Sequence, residues 1–177
     1  MSPMNDNLTP SLAKVGDKPL RIALYPGTFD PITNGHVNII ERGLSLFDRI
    51  IVTIAVNAQK IPCFPLEQRM DMIRQCFPDS DQVSVGHTDG LIVDFALRHG
   101  AQTIIRGLRM VSDFEYEFQM ALMNRRLERS VDTVFLMTGF RWFFISSSGI
   151  KDTAQRQGKI TGLVPKHVER ALREKFT

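Results

Sequence analysis

Short runs of β-branched and other apolar residues alternate along this chain with stretches whose apolar positions recur at helical spacing. Residues 20–25, 50–56, 83–87, 103–105 and 133–137 read as strands. Between them lie four helical stripes: Val37, Ile40 and Leu44; Met70, Ile73 and Phe77; Ile92, Phe95 and Ala96; and Phe114, Phe118, Ala121 and Leu122, the last on a longer helix running to about Leu127. Strand and helix in strict alternation predict an α/β fold: a Rossmann-like, doubly wound, five-stranded parallel sheet with helices on both faces and right-handed crossovers. Beyond the fifth strand, residues 146–157 suit a helix, and Pro165 can open a final helix ending near Lys175, so C-terminal helices complete the architecture. No repeat, low-complexity tract or internal linker interrupts residues 19–177, which read as a single domain. Residues 1–18 are polar and mixed, with Pro3 and Pro10, and are expected to be a flexible N-terminal extension.

In an open parallel sheet, ligands bind beyond the carboxyl ends of the strands. Four segments stand there. Residues 26–36, with two prolines and two glycines, form a rigid turn after the first strand. Thr33 or Asn34 can cap the following helix, placing His36 in its first turn, where backbone N–H groups and the helix dipole favour an anion. An imidazole N–H there can donate to a phosphate in its transition state, although a capped helix with an incidental histidine has the same pattern. Arg106, Gly107, Leu108 and Arg109 follow the fourth strand; two arginines three apart can fork onto phosphate oxygens, and Gly107 permits close backbone approach. Ile145, Ser146, Ser147 and Ser148 follow the fifth, offering hydroxyls and free N–H groups at a helix start; serine is equally a common cap. Lys60, in the loop after the second strand, can reach the same edge as a point charge, though a lone loop lysine is most often just solvated.

Composition narrows the field. The 177 residues are 43% hydrophobic and 23% charged, values of an ordinary globular protein. A net charge of +3, despite a pI of about 9.1, suits anionic small molecules better than a nucleic acid. Cys63 and Cys76 make no metal or redox spacing and read as free thiols of a reducing compartment. No secretory signal and no apolar run of membrane-spanning length is present, so a cytoplasmic protein that engages no membrane is expected. The P-loop and the G-x-G-x-x-G fingerprint are both missing. A sheet edge that gathers lysine, arginines, histidine and serines suits phosphoryl or nucleotidyl transfer, in which catalysis is chiefly positioning and electrostatics.

Thr33, Asn34, Gly35 and His36 match the T-x-G-H signature of the nucleotidyltransferase superfamily, and residues 145–148 match its ISSS companion. Together with residues 25–36, 106–108, 113–117 and 144–148, the chain from about Arg21 onward resembles the phosphopantetheine adenylyltransferase family. The resemblance implies transfer of AMP from ATP to 4′-phosphopantetheine, giving 3′-dephospho-coenzyme A and pyrophosphate, with Mg²⁺ entering on ATP rather than on a protein metal site. It implies a homohexamer, and coenzyme A is a further candidate ligand. By motif position, Thr28 resembles the residue that orients the substrate phosphate, and His36 the one that binds ATP phosphates and stabilises the transition state. Lys60 and Arg106 resemble substrate-phosphate and phosphoryl contacts, and Ile92 a contact to the pantetheine arm. Arg109, Glu117, Ser147 and Ser148 resemble ATP ligands, as does Phe29; Gly107, Leu108, Trp142, Phe143, Phe144, Ile145 and Ser146 fall where the family lines its ATP site, largely with main chain.

One stretch departs from the family pattern. Where Pro-Ser-x-Glu-aromatic-Ser-Phe is usual, this chain reads Thr138, Gly139, Phe140, Arg141, Trp142, Phe143, Phe144. Three other readings have a claim: a related adenylyl- or cytidylyltransferase with another phosphate acceptor, a basic nucleic-acid-binding module, and a catalytically inert homologue. The arginine and acidic runs at 106–109 and 113–117 argue against the first, the scatter of basic residues over helices against the second, and the retained Thr28, His36, Lys60, Arg106 and serines against the third.

Overall fold

In a computed structural model of the chain, which describes residues 14–15, 18–57 and 61–177, the pleat of the sheet sorts successive side chains into two cores. Along β3 (Ile22–Gly27), Ala23 and Tyr25 enter one core and Leu24 the other. Along β4 (Arg49–Ala55), Ile50, Val52 and Ile54 join the first and Ile51 the second. In β6 (Thr103–Leu108), Ile105 and Ile104 divide in the same way. A strand with apolar residues on both faces must be covered on both, which is why these runs lack the alternation of a half-exposed sheet.

The five strands, completed by β5 (Val83–Thr88) and β7 (Asp132–Met137), are all parallel in the order β5-β4-β3-β6-β7. The first core is closed by α1 (Asn34–Leu44), α2 (Leu66–Arg74), α5 (Ser147–Gln155) and α6 (Lys166–Phe176), through Ile39, Ile40, Met70, Ile73, Ile150, Ala154, Val168 and Leu172. The second is closed by α3 (Ile92–Arg98), through Val93, Phe95 and Ala96. A two-stranded pair, β1 (Lys14–Val15) and β2 (Lys18–Pro19), precedes the sheet. The rest of the extension expected over residues 1–18 lies outside the described residues.

Three expectations shift. Strands β3 and β6 run further than residues 20–25 and 103–105, so Pro26, Gly27, Arg106 and Gly107 are strand residues rather than turn residues. Pro165 caps α6 from outside instead of opening it. The stripe on α4 (Val111–Leu127) forms a helix as expected, but none of its residues is buried: Phe114, Phe118 and Leu122 are 41%, 44% and 54% exposed.

Candidate active site

Strand β3 pairs with β4 over six positions but with β6 at only two, Ala23 with Thr103 and Leu24 with Ile104. Beyond that register the two strands part. The chain winds outward from β3 to β4 and β5 before returning to β6, so this gap is the point where strand order reverses. Pro26 sits at its lip. Its carbonyl accepts from Nη1 of Arg106 at 2.8 Å, toward β6, and an N–H on the same side of the strand would find no ladder partner there. A proline therefore costs the sheet nothing at this position. The opening widens into a trough of about 540 Å³ walled by Thr28, Phe29, His36, Arg106, Arg109 and Glu117 together with the start of α5.

Helix α1 begins at the trough. Thr33 is its N-cap, and the capping box is closed by a histidine where glutamate or glutamine is usual: Nδ1 of His36 accepts the backbone N–H of Thr33 at 3.0 Å. The half-buried imidazole packs edge-on against Phe29, with ring centroids 5.1 Å apart. Burial lowers its pKa to about 4, and the nearby charges of Arg109 and Arg106 act in the same direction. At neutral pH the ring is uncharged, Nδ1 is its acceptor, and Nε2–H is its one donor.

Arg106 is held by a fork. Its Nε and Nη2 donate to the two carboxylate oxygens of Glu117, both at 2.6 Å. Burial works against the guanidinium charge, but Glu117 outweighs it and holds the pKa above its ordinary value. Three N–H groups are used, on Glu117 and the Pro26 carbonyl, and two of the five remain. Arg109 donates to both oxygens of Asp113, at 3.2 and 3.4 Å, and to the carbonyl of Ile145 at 3.1 Å, tying the turn after β6 to the serine-rich turn.

The three serines do different work. Ser146 is the N-cap of α5 and accepts the N–H of Gly149 at 3.1 Å, the bland role open to it from sequence. Ser147 donates to the carbonyl of Pro31 at 2.8 Å, fastening α5 to the turn after β3. Ser148 is exposed at the trough wall. The turn is clamped twice more: the Thr28 carbonyl accepts from Arg69 at 2.8 Å, and the Asp30 carboxylate accepts the N–H groups of Cys63 and Phe64, each at 2.9 Å.

The structure thus gathers Thr28, Phe29, Ile92, Arg106, Gly107, Arg109, Glu117, Trp142, Ile145, Ser146, Ser147 and Ser148 around His36, as expected of one site. Leu108, Phe143 and Phe144 stay off its wall; Leu108 turns into the protein at 8% exposure and Phe144 stands out at 88%. Lys60 lies outside the described residues. Glu117 grips Arg106 rather than standing free as a ligand carboxylate. The altered stretch forms a short 3-10 turn (Phe140–Trp142) hung from Asn38, whose side chain accepts the N–H of Gly139 at 3.1 Å, with the Arg141 guanidinium 4.8 Å from the Trp142 ring. Sequence reasoning missed Tyr25, Asn124, Asp30, Arg69 and Lys151. Of these, Lys151 carried a signal, falling one helical turn after Ser147 and so on the same face of the helix.

The chain is similar to known proteins along most of its length. Residues 24–153 match the Cytidylyltransferase-like family. A phosphopantetheine adenylyltransferase of Desulfotalea psychrophila is 60% identical over 157 residues, covering 88% of this chain and 92% of that protein. Phosphopantetheine adenylyltransferases of Desulfosudis oleivorans and Geotalea daltonii are 56% and 50% identical, each over 89% of this chain and over 94% and 98% of their own lengths. A crystal structure of a candidate nicotinate-nucleotide adenylyltransferase from Vibrio parahaemolyticus superposes with a TM-score of 0.65 over 89% of this chain and 94% of that one; at 18% identity it speaks for the fold alone. With its sheet switch point, its histidine-closed capping box and relatives of this similarity along nearly its whole length, the chain belongs to the phosphopantetheine adenylyltransferase family.

Proposed function

We propose that this protein transfers the adenylyl group of ATP to 4′-phosphopantetheine, forming 3′-dephospho-coenzyme A and pyrophosphate, a step of coenzyme A synthesis. The observation that carries the reading is the convergence of His36, Thr28, Arg106, Arg109 and Ser148 on one trough at the sheet switch point, in a chain 50–60% identical to proteins of that name. A substrate phosphomonoester has a second pKa near ~6, so it arrives largely ionised and nucleophilic, and needs no general base. In keeping with this, the one carboxylate among the described residues that lines the trough, Glu117, is occupied by Arg106.

The assigned roles follow from position. The Nε2–H of neutral His36 donates to the α-phosphate as charge builds on its oxygens, a contribution of about 10²–10³ in rate for one such donor. Arg106, aimed by Glu117, offers its two remaining N–H groups to the acceptor phosphate, beside Thr28. Arg109, Ser147 and Ser148 face the polyphosphate, Trp142 and Ile145 the nucleotide, and Ile92 the pantetheine arm. The role of Lys60, a further phosphate contact, rests on the resemblance. Mg²⁺, which the resemblance brings in on ATP, would neutralise charge on the triphosphate when bound.

The exposed apolar residues of α4 support assembly into the homohexamer implied by the resemblance, because eight of them on one helix exceed what a monomer usually leaves to water. A cytoplasmic location accords with the substrates, and no helix among the described residues is long and apolar enough to cross a membrane. Pyrophosphate release from ATP and Mg²⁺ with 4′-phosphopantetheine, run beside nicotinamide mononucleotide and the His36→Ala variant, tests the reading. Release with phosphopantetheine alone, lost in the variant, is expected; release with the other acceptor instead would overturn the substrate.

A further inference from the structure

Tyr25 is the first residue of β3 beyond its last pairing with β6, so it stands where the two strands part. Its ring belongs to the first core and packs edge-on against Phe29, with centroids 5.4 Å apart. Centre to centre it lies 6.4 Å from the imidazole of His36. The residue is 5% exposed and lines the trough. A buried tyrosine hydroxyl usually finds a partner, but this one forms no hydrogen bond among the described residues. Phenylalanine would pack the core equally well, and an unpaired buried hydroxyl is unfavourable, so the oxygen answers to the trough rather than to the packing. Gly107 on β6 leaves it uncovered: a Cβ there would touch the hydroxyl oxygen at 3.5 Å and Cγ1 of Ile39 at 3.1 Å. Burial holds the phenol well above its ordinary pKa against the pull of the Arg106 charge, with Glu117 acting alongside burial and Arg109 alongside Arg106. The hydroxyl therefore keeps its proton and can donate it.

The chemistry of the proposed reaction names the acceptor of that hydrogen bond. An oxygen of the acceptor phosphate bonds to the α-phosphorus of ATP as the bond from that phosphorus to the bridging oxygen of the β-phosphate breaks, and the electron pair leaves with pyrophosphate. In-line displacement puts the attacking and leaving oxygens at opposite ends and the remaining oxygens of the α-phosphate around the middle, where charge builds. Arg106 serves the acceptor end and Arg109 the polyphosphate end. Tyr25 feels both charges and shares the floor of the trough with His36. We propose that Tyr25 is a second catalytic donor, whose hydroxyl reaches an α-phosphate oxygen at the bottom of the trough and strengthens that bond as the transition state forms. Its proton stays on the phenol oxygen throughout, so the step needs no further acid or base. The inference rests on the adenylyl-transfer reading for the identity of the reacting phosphate.

Tyr25→Phe removes the oxygen and keeps the ring. In the full-length protein, its single-turnover rate of pyrophosphate release at saturating ATP, Mg²⁺ and 4′-phosphopantetheine should fall by at least about tenfold, while affinity for ATP stays within about threefold. The variant should unfold at or above the native denaturation midpoint, because it loses only an unpaired hydroxyl. A smaller fall in rate, or a fall that comes with weaker ATP binding and a lowered midpoint, would overturn the donor. A second measurement needs no turnover. The chain has two tyrosines, Tyr25 and Tyr116, so protein labelled with carbon-13 at the tyrosine Cζ gives two signals. Tyr25→Phe assigns them, and Tyr116→Phe does so should the first variant not fold. On addition of α,β-methylene-ATP with Mg²⁺, the Tyr25 signal of the native protein should move downfield as the phenol donates; a signal that stays in place would also overturn the donor. A native protein whose Tyr25 signal moves with the nucleotide, yet which forms no dephospho-coenzyme A, would keep Tyr25 as a nucleotide donor and sink the assigned acceptor.

Discussion

The Nδ1 of His36 accepts the backbone N–H of Thr33 at 3.0 Å, so the bond that closes the first turn of α1 also selects the tautomer of the ring that faces the trough. With burial holding the pKa at about 4, the free protein should carry His36 as the Nε2–H tautomer down to well below pH 6. Nitrogen-15 spectra of the imidazole across a pH titration check this. The linkage sign follows. The folded pKa lies below the unfolded value of 6.5, so the unfolded chain binds the proton first and stability falls as pH drops from 6.5 toward 4, by up to roughly 3 kcal/mol. Denaturant melts of native protein and His36→Gln should converge over that window; parallel curves would contradict the buried neutral ring.

Glu117 aims Arg106 through two 2.6 Å bonds at a largely buried position. Glu117→Gln can keep only one acceptor and no charge. It should lower stability by about 1–3 kcal/mol and raise the Michaelis constant for phosphopantetheine by about tenfold. An effect confined to ATP would instead return Glu117 to the direct nucleotide contact that sequence suggested.

Glycine in a helix interior ordinarily invites alanine, with a gain of up to ~1 kcal/mol. Gly43 in α1 is an exception, because a Cβ there would lie 2.6 Å from Cδ1 of Ile50 and 3.1 Å from Cδ1 of Ile105, both in the closed core. Gly43→Ala should therefore be destabilising by about 1–2 kcal/mol, read as a lowered denaturation midpoint.

Arg141 lies over Trp142 at the exposed side of the altered turn and makes no ion pair among the described residues. Arg141→Glu should change the Michaelis constant for ATP by less than about tenfold, the scale of an exposed charge. A larger rise would give this turn a part in ATP binding.

Phe118 stacks on Phe114 with centroids 5.5 Å apart, and both remain over 40% exposed on α4. If α4 is covered by neighbouring subunits, Phe118→Glu should shift the sedimentation of the protein from hexamer toward smaller species while leaving the circular dichroism of the subunit unchanged. A native protein that sediments as a monomer would remove the assembly from the proposal.

Much of the site was legible because its residues sit in contiguous runs. Residues 28–36, 106–109 and 145–148 each follow or end a strand, and the parallel order carries them to one edge. The ends of β3 and β6 were not legible, because Pro26, Gly27 and Gly107 have the composition of turns. They remain in strand through pairing with β4 and β7, as in Gly27 with Ile54 and Leu108 with Met137, which no local pattern records. Helical spacing in α4 announced a helix but not its exposure, since periodicity reports which residues share a face and not what lies opposite.

By itself the sequence determined the alternation of strands and helices, the two-sided burial of the sheet, and the motif residues with their places after the strands, because these depend on periodicity, turn chemistry and position along the chain. Tertiary structure alone decided the pairings between distant residues: Arg106 with Glu117, Lys151 with Asp30 across 121 positions, and Arg69 with the Thr28 carbonyl across 41. Such pairings depend on where folded elements meet and on which charges lose contact with water there. A lysine, an arginine and an aspartate far apart in the chain became a second charged cavity only once the sheet had brought α2, α5 and the turn after β3 together.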